Sequence, residues 1–181
     1  MPASREKKET GKKWGEGAVE ELHSFLRKRN WRMSTCESCT GGLVSALITS
    51  IPGATDVYSG GVVAYSIEAK TGLVGVEEKT LDAYGPVSPQ AAAEMAERTA
   101  TMFGTEVSVS TTGVAGPELH GGVPPGTMYV GVKTPAGTFA EKVEIEDIGR
   151  KKNMEAFSIQ AIKILLDYLL GGPEEQQKKR L

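Results

Sequence analysis

Histidine and cysteine are nearly absent from this chain, with two of each in 181 residues. Two cysteines cannot build a disulfide framework, and two scattered histidines do not complete the close ligand spacing of a zinc site. A reduced, cytoplasmic protein is expected. An excess of charge of either sign is missing as well. The chain has 21 basic and 23 acidic residues, a net charge of −2, which argues against a basic nucleic-acid-binding footprint and leaves room only for a local anion pocket. No apolar run approaches the ~20 residues that span a bilayer. The N-terminal Arg5-Glu-Lys-Lys-Glu9 has no apolar stretch behind it, unlike a secretory signal. Neither the P-loop pattern Gly-x-x-x-x-Gly-Lys-Ser/Thr nor the dinucleotide fingerprint Gly-x-Gly-x-x-Gly occurs, which removes two common routes to phosphate binding.

What remains is an ordinary globular composition, 39% apolar and 24% charged, in a length suited to one domain. Residues 1–14 are polar and aperiodic and are expected to form a loose tail. A second tail is expected over 171–181, after the helix-stopping Gly171-Gly172-Pro173. Between them, over 15–170, helical and extended patterns alternate. Ala18, Val19, Leu22, Phe25 and Leu26 repeat at helical spacing. Trp31 to Cys36 reads as a short strand, and Thr40-Gly-Gly as the opening of a helix that ends near Ile51-Pro52-Gly53. Tyr58 to Tyr65 reads as a strand buried on both faces. Lys70 to Gly75 suggests a short helix. Ser88-Pro89 places an N-cap and a first-turn proline at the head of a helix reaching Phe103. Glu106 to Thr112 is a third strand. Met128 to Thr134 and Phe139 to Ile145 form a hairpin, and a last helix covers about Asn153 to Leu170. This order predicts a layered α/β fold with a mixed sheet.

In such sheets ligands bind at the carboxyl ends of strands. Three polar, glycine-rich segments are predicted there: Cys36 to Gly42, Tyr65 to Thr71 and Thr111 to Pro117. The first puts Ser38 at a strand-to-helix turn, followed by Thr40, Gly41 and Gly42. A helix start carries unpaired N–H groups and partial positive charge, suited to an oxyanion or phosphate. Plain capping by Ser38 or Thr40 accounts for the same residues. A serine becomes a nucleophile only with a base, and neither His23 nor His120 lies in a convincing pattern. Lys70, in the second segment with Tyr65 and Thr71, is the best base if burial lowers its pKa. It also fits a substrate anchor or a solvated side chain. Ser66 is read as a helix cap. In the third segment, hydroxyls alternating with glycines (Thr112, Gly113, Gly116) suit either a phosphate cradle or a simple turn. The loop from Glu118 to Gly126, with His120 as a bystander, is placed to cover a site. A rival reading takes Cys36-Glu-Ser-Cys39 as a redox pair whose thiol pKa the helix start would depress.

Five stretches together, Glu37-Ser-Cys-Thr-Gly-Gly42, Tyr65-Ser-x-Glu-Ala-Lys70, Gly85-Pro-Val-Ser88, Thr112-Gly-Val-Ala-Gly-Pro117 and Pro125-Gly-Thr-Met-Tyr-Val130, resemble the CinA C-terminal domain family, which includes the nicotinamide mononucleotide deamidases. The resemblance covers about 17–170. It implies a three-layer α/β/α sandwich on a mixed, mostly parallel sheet, in a stand-alone and commonly dimeric form. It implies hydrolysis of the carboxamide of this ribonucleotide to nicotinate mononucleotide and ammonia, with no metal or cofactor and no nucleic-acid or membrane partner. By motif position, Ser38 is the nucleophile, Lys70 its base and Tyr65 a proton-relay partner. Thr40, Gly41 and Gly42 contribute to the oxyanion hole, while Thr71, Thr112, Gly113, Gly116 and Arg150 face the nucleotide. The chain departs from the family pattern at Ile67, where asparagine is usual, and at Cys36, where alanine is usual. It also departs at Met154 and Glu155, where a basic residue is common and for which Lys151 or Lys152 would substitute.

Overall fold

The computed structural model describes residues 16–171. The expected tail 1–14, and all of the expected tail 171–181 except Gly171, lie outside the described residues. The elements in order are α1 (Glu16–Arg29), β1 (Met33–Glu37), α2 (Leu43–Thr49), β2 (Tyr58–Val63), a π-helical segment (Ala69–Val74), α3 (Glu78–Tyr84), α4 (Pro89–Phe103), β3 (Val107–Val114), β4 (Thr127–Thr134), β5 (Gly137–Glu144) and α5 (Arg150–Leu170). The strands form one sheet in the order β2-β1-β3-β4-β5. β1 pairs parallel with both β2 and β3, whereas β4 is antiparallel to β3 and to β5. Only β4 therefore runs against the others, and the sheet is mixed with mostly parallel strand directions.

Helices cover both faces. On one, Leu22 and Leu26 of α1, Val44 and Ile48 of α2, and Phe157, Ile162 and Leu165 of α5 pack on Met33, Val109, Val130 and Val132. The Phe139 ring stacks on Tyr168 there at 4.8 Å. On the other face, Ala91 and Met95 of α4 pack with Cys36, Ala64, Val74 and Leu81. The buried side of α4 is made mainly of small residues (Ala91, Ala92, Ala96, Thr99, Ala100), so its backbone lies close to the sheet. The Ser110 hydroxyl donates to the Ala92 carbonyl. A Cβ on Gly131 would collide with that same carbonyl.

The hydroxyl of Ser88 caps α4 by accepting from the Ala91 N–H at 3.1 Å, and Gly104 ends the helix at φ 62°, as the sequence predicts. Three expectations are corrected. β2 is an edge strand with Val63 half exposed, not a strand buried on both faces; its glycines made the run look uniformly apolar. α2 starts at Leu43 rather than at Thr40, because Gly41 and Gly42 take left-handed φ values of 61° and 103° that no helix tolerates. α3 was not anticipated, since Leu81 is its one buried residue and leaves no periodicity to read.

Close packing of α4 predicts that Gly131→Ala destabilises the fold by about 1–3 kcal/mol, read as a lower urea midpoint. Gly72→Ala is the control. A Cβ there meets nothing within 4 Å, and its midpoint should hold or rise. Equal midpoints for the two variants would contradict the packing account.

Candidate active site

Glu37, the last residue of β1, organises the turn that follows. Its side chain is buried and accepts five hydrogen bonds. These come from the Thr40 hydroxyl at 2.6 Å, the N–H groups of Gly42 and Val44 at 3.0 Å each, and the N–H and hydroxyl of Ser45 at 2.8 and 2.6 Å. The orphan N–H groups at the start of α2 are thus met by the protein's own acid. Ser38 comes next, its N–H donating to the Thr111 carbonyl at 2.9 Å.

The chain leaves β2 at Val63 and turns into the π-helical segment, which Ser66 caps by accepting from the Ala69 N–H at 3.1 Å. Gly75 closes it at φ 84°. Single π turns of this kind gather at functional sites. This one turns Lys70 inward until the side chain is buried. The Lys70 Nζ lies 3.0 Å from the Ser38 Oγ, 2.8 Å from the Ala64 carbonyl and 3.4 Å from the Tyr65 carbonyl. Among the described residues, no ion pair involves it. Burial pulls its pKa below the ordinary 10.5; the cysteines nearby would raise it only as thiolates. Burial pushes the Cys36 thiol up to about 11 and the Cys39 thiol to about 12, so both are uncharged at neutral pH. A neutral lysine has two N–H donors and one lone pair. As a cation Lys70 donates to the Ser38 Oγ; as a neutral amine, with the two carbonyls taking its donors, it would turn its lone pair to the Ser38 hydroxyl.

The third wall follows β3. The Thr112 hydroxyl donates to the Pro86 carbonyl at 2.6 Å. Arg150, at the head of α5, donates to the Gly116 carbonyl at 2.6 Å and to the Tyr65 hydroxyl at 2.7 Å, joining two rims of the site. Buried Asn153 donates to the Ala115 carbonyl at 2.9 Å and to Asp147 at 2.8 Å, and it accepts from the Ile148 N–H at 3.1 Å. These walls enclose a cleft of about 510 Å³.

Of the residues singled out in the sequence, Ser38, Lys70, Tyr65, Thr112, Gly113, Gly116 and Arg150 line this cleft, together with Ile67 and His120. Thr40, Gly41, Gly42 and Thr71 do not. The Thr40 hydroxyl and the Gly42 N–H serve Glu37, the Gly41 N–H serves the Ser38 carbonyl, and the Thr71 hydroxyl donates back to Ile67 and Glu68. In this turn the N–H groups of Cys39 and Thr40 are the ones that meet no oxygen acceptor among the described residues. The Tyr65 phenol is held by Arg150 and is 60% exposed; it bonds to neither Ser38 nor Lys70, and its carbonyl is the group that meets the lysine. Sequence reasoning missed Glu37 and Asn153. Glu37 carried a signal, an acid at the end of a strand just ahead of the glycine-containing turn that leads into a helix. Asn153 carried none.

The redox reading of Cys36 and Cys39 is corrected. The two side chains are buried in separate clusters, one in each core layer, and burial raises both thiols where the helix start was expected to lower them. Iodoacetamide at pH 8 should therefore label neither cysteine in the native protein, but both after denaturation. Rapid native labelling of either would contradict this placement.

Residues 16–169 match the sequence profile of the CinA C-terminal domain. The chain is 43% identical over 151 residues to a Caldanaerobacter subterraneus protein named for competence-damage inducibility, a span covering 81% of this chain and 36% of that protein. It is 41% identical over 135 residues to a CinA-like protein of Kosmotoga olearia, covering 72% and 32%. The chain thus spans about a third of the length of these relatives. Among solved structures, the competence damage-inducible protein A of Klebsiella pneumoniae superposes with a TM-score of 0.83 at 26% identity, covering 87% of this chain and 98% of that one. The competence/damage inducible protein CihA of Agrobacterium tumefaciens gives 0.81 at 30% identity, covering 86% and 95%.

Proposed function

The chain belongs to the CinA C-terminal domain family, and from that premise we propose that it is an amidohydrolase in which Ser38 attacks a carboxamide and Lys70 moves the proton. The observation that carries this reading is the 3.0 Å contact between the Lys70 Nζ and the Ser38 Oγ, made by a buried lysine that forms no ion pair among the described residues. The substrate proposed is nicotinamide mononucleotide, cut to nicotinate mononucleotide and ammonia.

Neutral Lys70 takes the Ser38 hydroxyl proton as the Oγ bonds to the carboxamide carbon. The carbonyl π electrons move to oxygen, and the N–H of Cys39, which with Ser38 lines the cleft from this turn, is the donor proposed for the resulting oxyanion. One well-aimed donor is worth about 3–4 kcal/mol in the transition state. When the tetrahedral species collapses, the C–N bond breaks and protonated Lys70 gives its proton to the leaving nitrogen, releasing ammonia. Water, deprotonated by the regenerated amine, then splits the Ser38 ester to the carboxylate, and the serine regains its proton. Arg150, Thr112, Gly113 and Gly116 line the cleft; in this reading the arginine would meet the phosphate and the other three would form the wall along which the nucleotide lies.

Ammonia release from nicotinamide mononucleotide tests this directly. Ser38→Ala should lower turnover by at least about 10³-fold, and Lys70→Ala by about 10²–10⁴-fold, with both proteins folded. Full turnover in either variant would refute the dyad. Ile67, exposed in the cleft wall, favours a second reading in which the cleft binds a nucleotide without cleaving it. A folded wild type that binds the nucleotide and releases no ammonia would support that reading.

A further inference from the structure

We propose that Glu37 is the positioning residue of this site, a buried acid that aligns Ser38 and Lys70 on each other without touching substrate. The proposal rests on the Ser38–Lys70 reading. Its basis is the number of elements that meet at this one residue. Its side chain gathers the turn and the first residues of α2 through Thr40, Gly42, Val44 and Ser45. Thr40 carries the network on to β3, its hydroxyl lying 2.7 Å from that of Thr111, and the Thr111 carbonyl holds the Ser38 N–H. The Glu37 backbone carbonyl accepts from the Ala64 N–H at 2.8 Å, and the Ala64 carbonyl in turn accepts from the Lys70 Nζ. The nucleophile and the base are therefore each one residue or one hydrogen bond removed from groups that Glu37 fixes.

Every group facing the Glu37 side chain is a donor. A carboxylate can satisfy all five, whereas a glutamine places its NH₂ against N–H groups and leaves buried donors unpaired. Glu37→Gln preserves size and shape while breaking that match. The Glu37 carboxylate is taken up by its five donors, and the Lys70 Nζ meets Ser38 and two backbone carbonyls instead, so removing the acid should alter the alignment of the dyad more than the ionisation of the lysine. An acid acting through its charge would do the reverse.

The test uses phenylmethanesulfonyl fluoride, which sulfonylates an activated serine irrespective of the natural substrate, followed by intact-mass spectrometry over a pH series well below each protein's melting temperature. Wild type should be labelled at Ser38, and Lys70→Ala should not. If that fails, the dyad reading itself falls. Given that result, Glu37→Gln should label about 10²-fold more slowly, the cost of a misplacement near 1 Å, with the pH midpoint of the remaining reaction unmoved. A folded Glu37→Gln that labels within about threefold of wild type, or one whose midpoint shifts, overturns the positioning role. If Glu37→Gln does not fold, Thr40→Val decides the matter, since it cuts the link between Glu37 and Thr111 and leaves the acid in place. A loss of about tenfold or more supports the proposal, and a rate within about threefold of wild type overturns it.

Discussion

A carboxylate buried at the start of a helix is the constraint on which this molecule's working end depends. Helix starts are commonly left open for a ligand's anion. Here Glu37 fills that position, and the five donors it collects lock a turn that would otherwise be free to vary, because it contains two consecutive glycines in left-handed conformations. The same residue ends β1, which lies between β2 and β3. The strand that leads to Lys70 and the strand that carries the third wall are therefore its immediate neighbours, and strand pairing brings the three segments to one end of the sheet.

Lys70 is the energetic counterpart. Burying a charged ammonium without a partner costs several kcal/mol, and the described residues supply it two backbone carbonyls and a hydroxyl but no carboxylate. Those partners offer the amine dipoles and no opposing charge, so desolvation prevails and its pKa is drawn below 10.5. A carboxylate at the same distance would reverse the outcome, restoring an ordinary structural ion pair and removing the base. The nearby cysteines do not play that part, since their burial keeps them protonated.

Much of this was legible in the sequence, and what was not has physical reasons. The α4 cap, the terminal hairpin and the three glycine-rich strand ends rest on local signals, turn chemistry and two-residue or helical periodicity, that tertiary context did not override. That Ser38 and Lys70 would meet, as they do at 3.0 Å, was readable because a serine at a strand–helix turn calls for a base and few candidates were on offer. The oxyanion assignment for Thr40 to Gly42 misled because sequence shows which N–H groups a helix start frees, not which acid will claim them. Tyr65 misled similarly; its position next to Lys70 is real, but its phenol turns out to Arg150. Asn153 gave no sign, since an asparagine in the first turn of a helix reads as a surface residue until loops from two directions close over it.

The measurement that tests the central claim most directly is the ionisation of Lys70 in the resting protein, followed by heteronuclear NMR of its side-chain Cε and Nζ across pH. A base that must be neutral to accept the Ser38 proton should titrate below the ordinary lysine value of 10.5, with the rate of Ser38 modification rising with pH through the same midpoint. A midpoint at or above 10.5, or a rate that ignores it, would mean that the buried lysine is held as a cation and that Ser38 has no base.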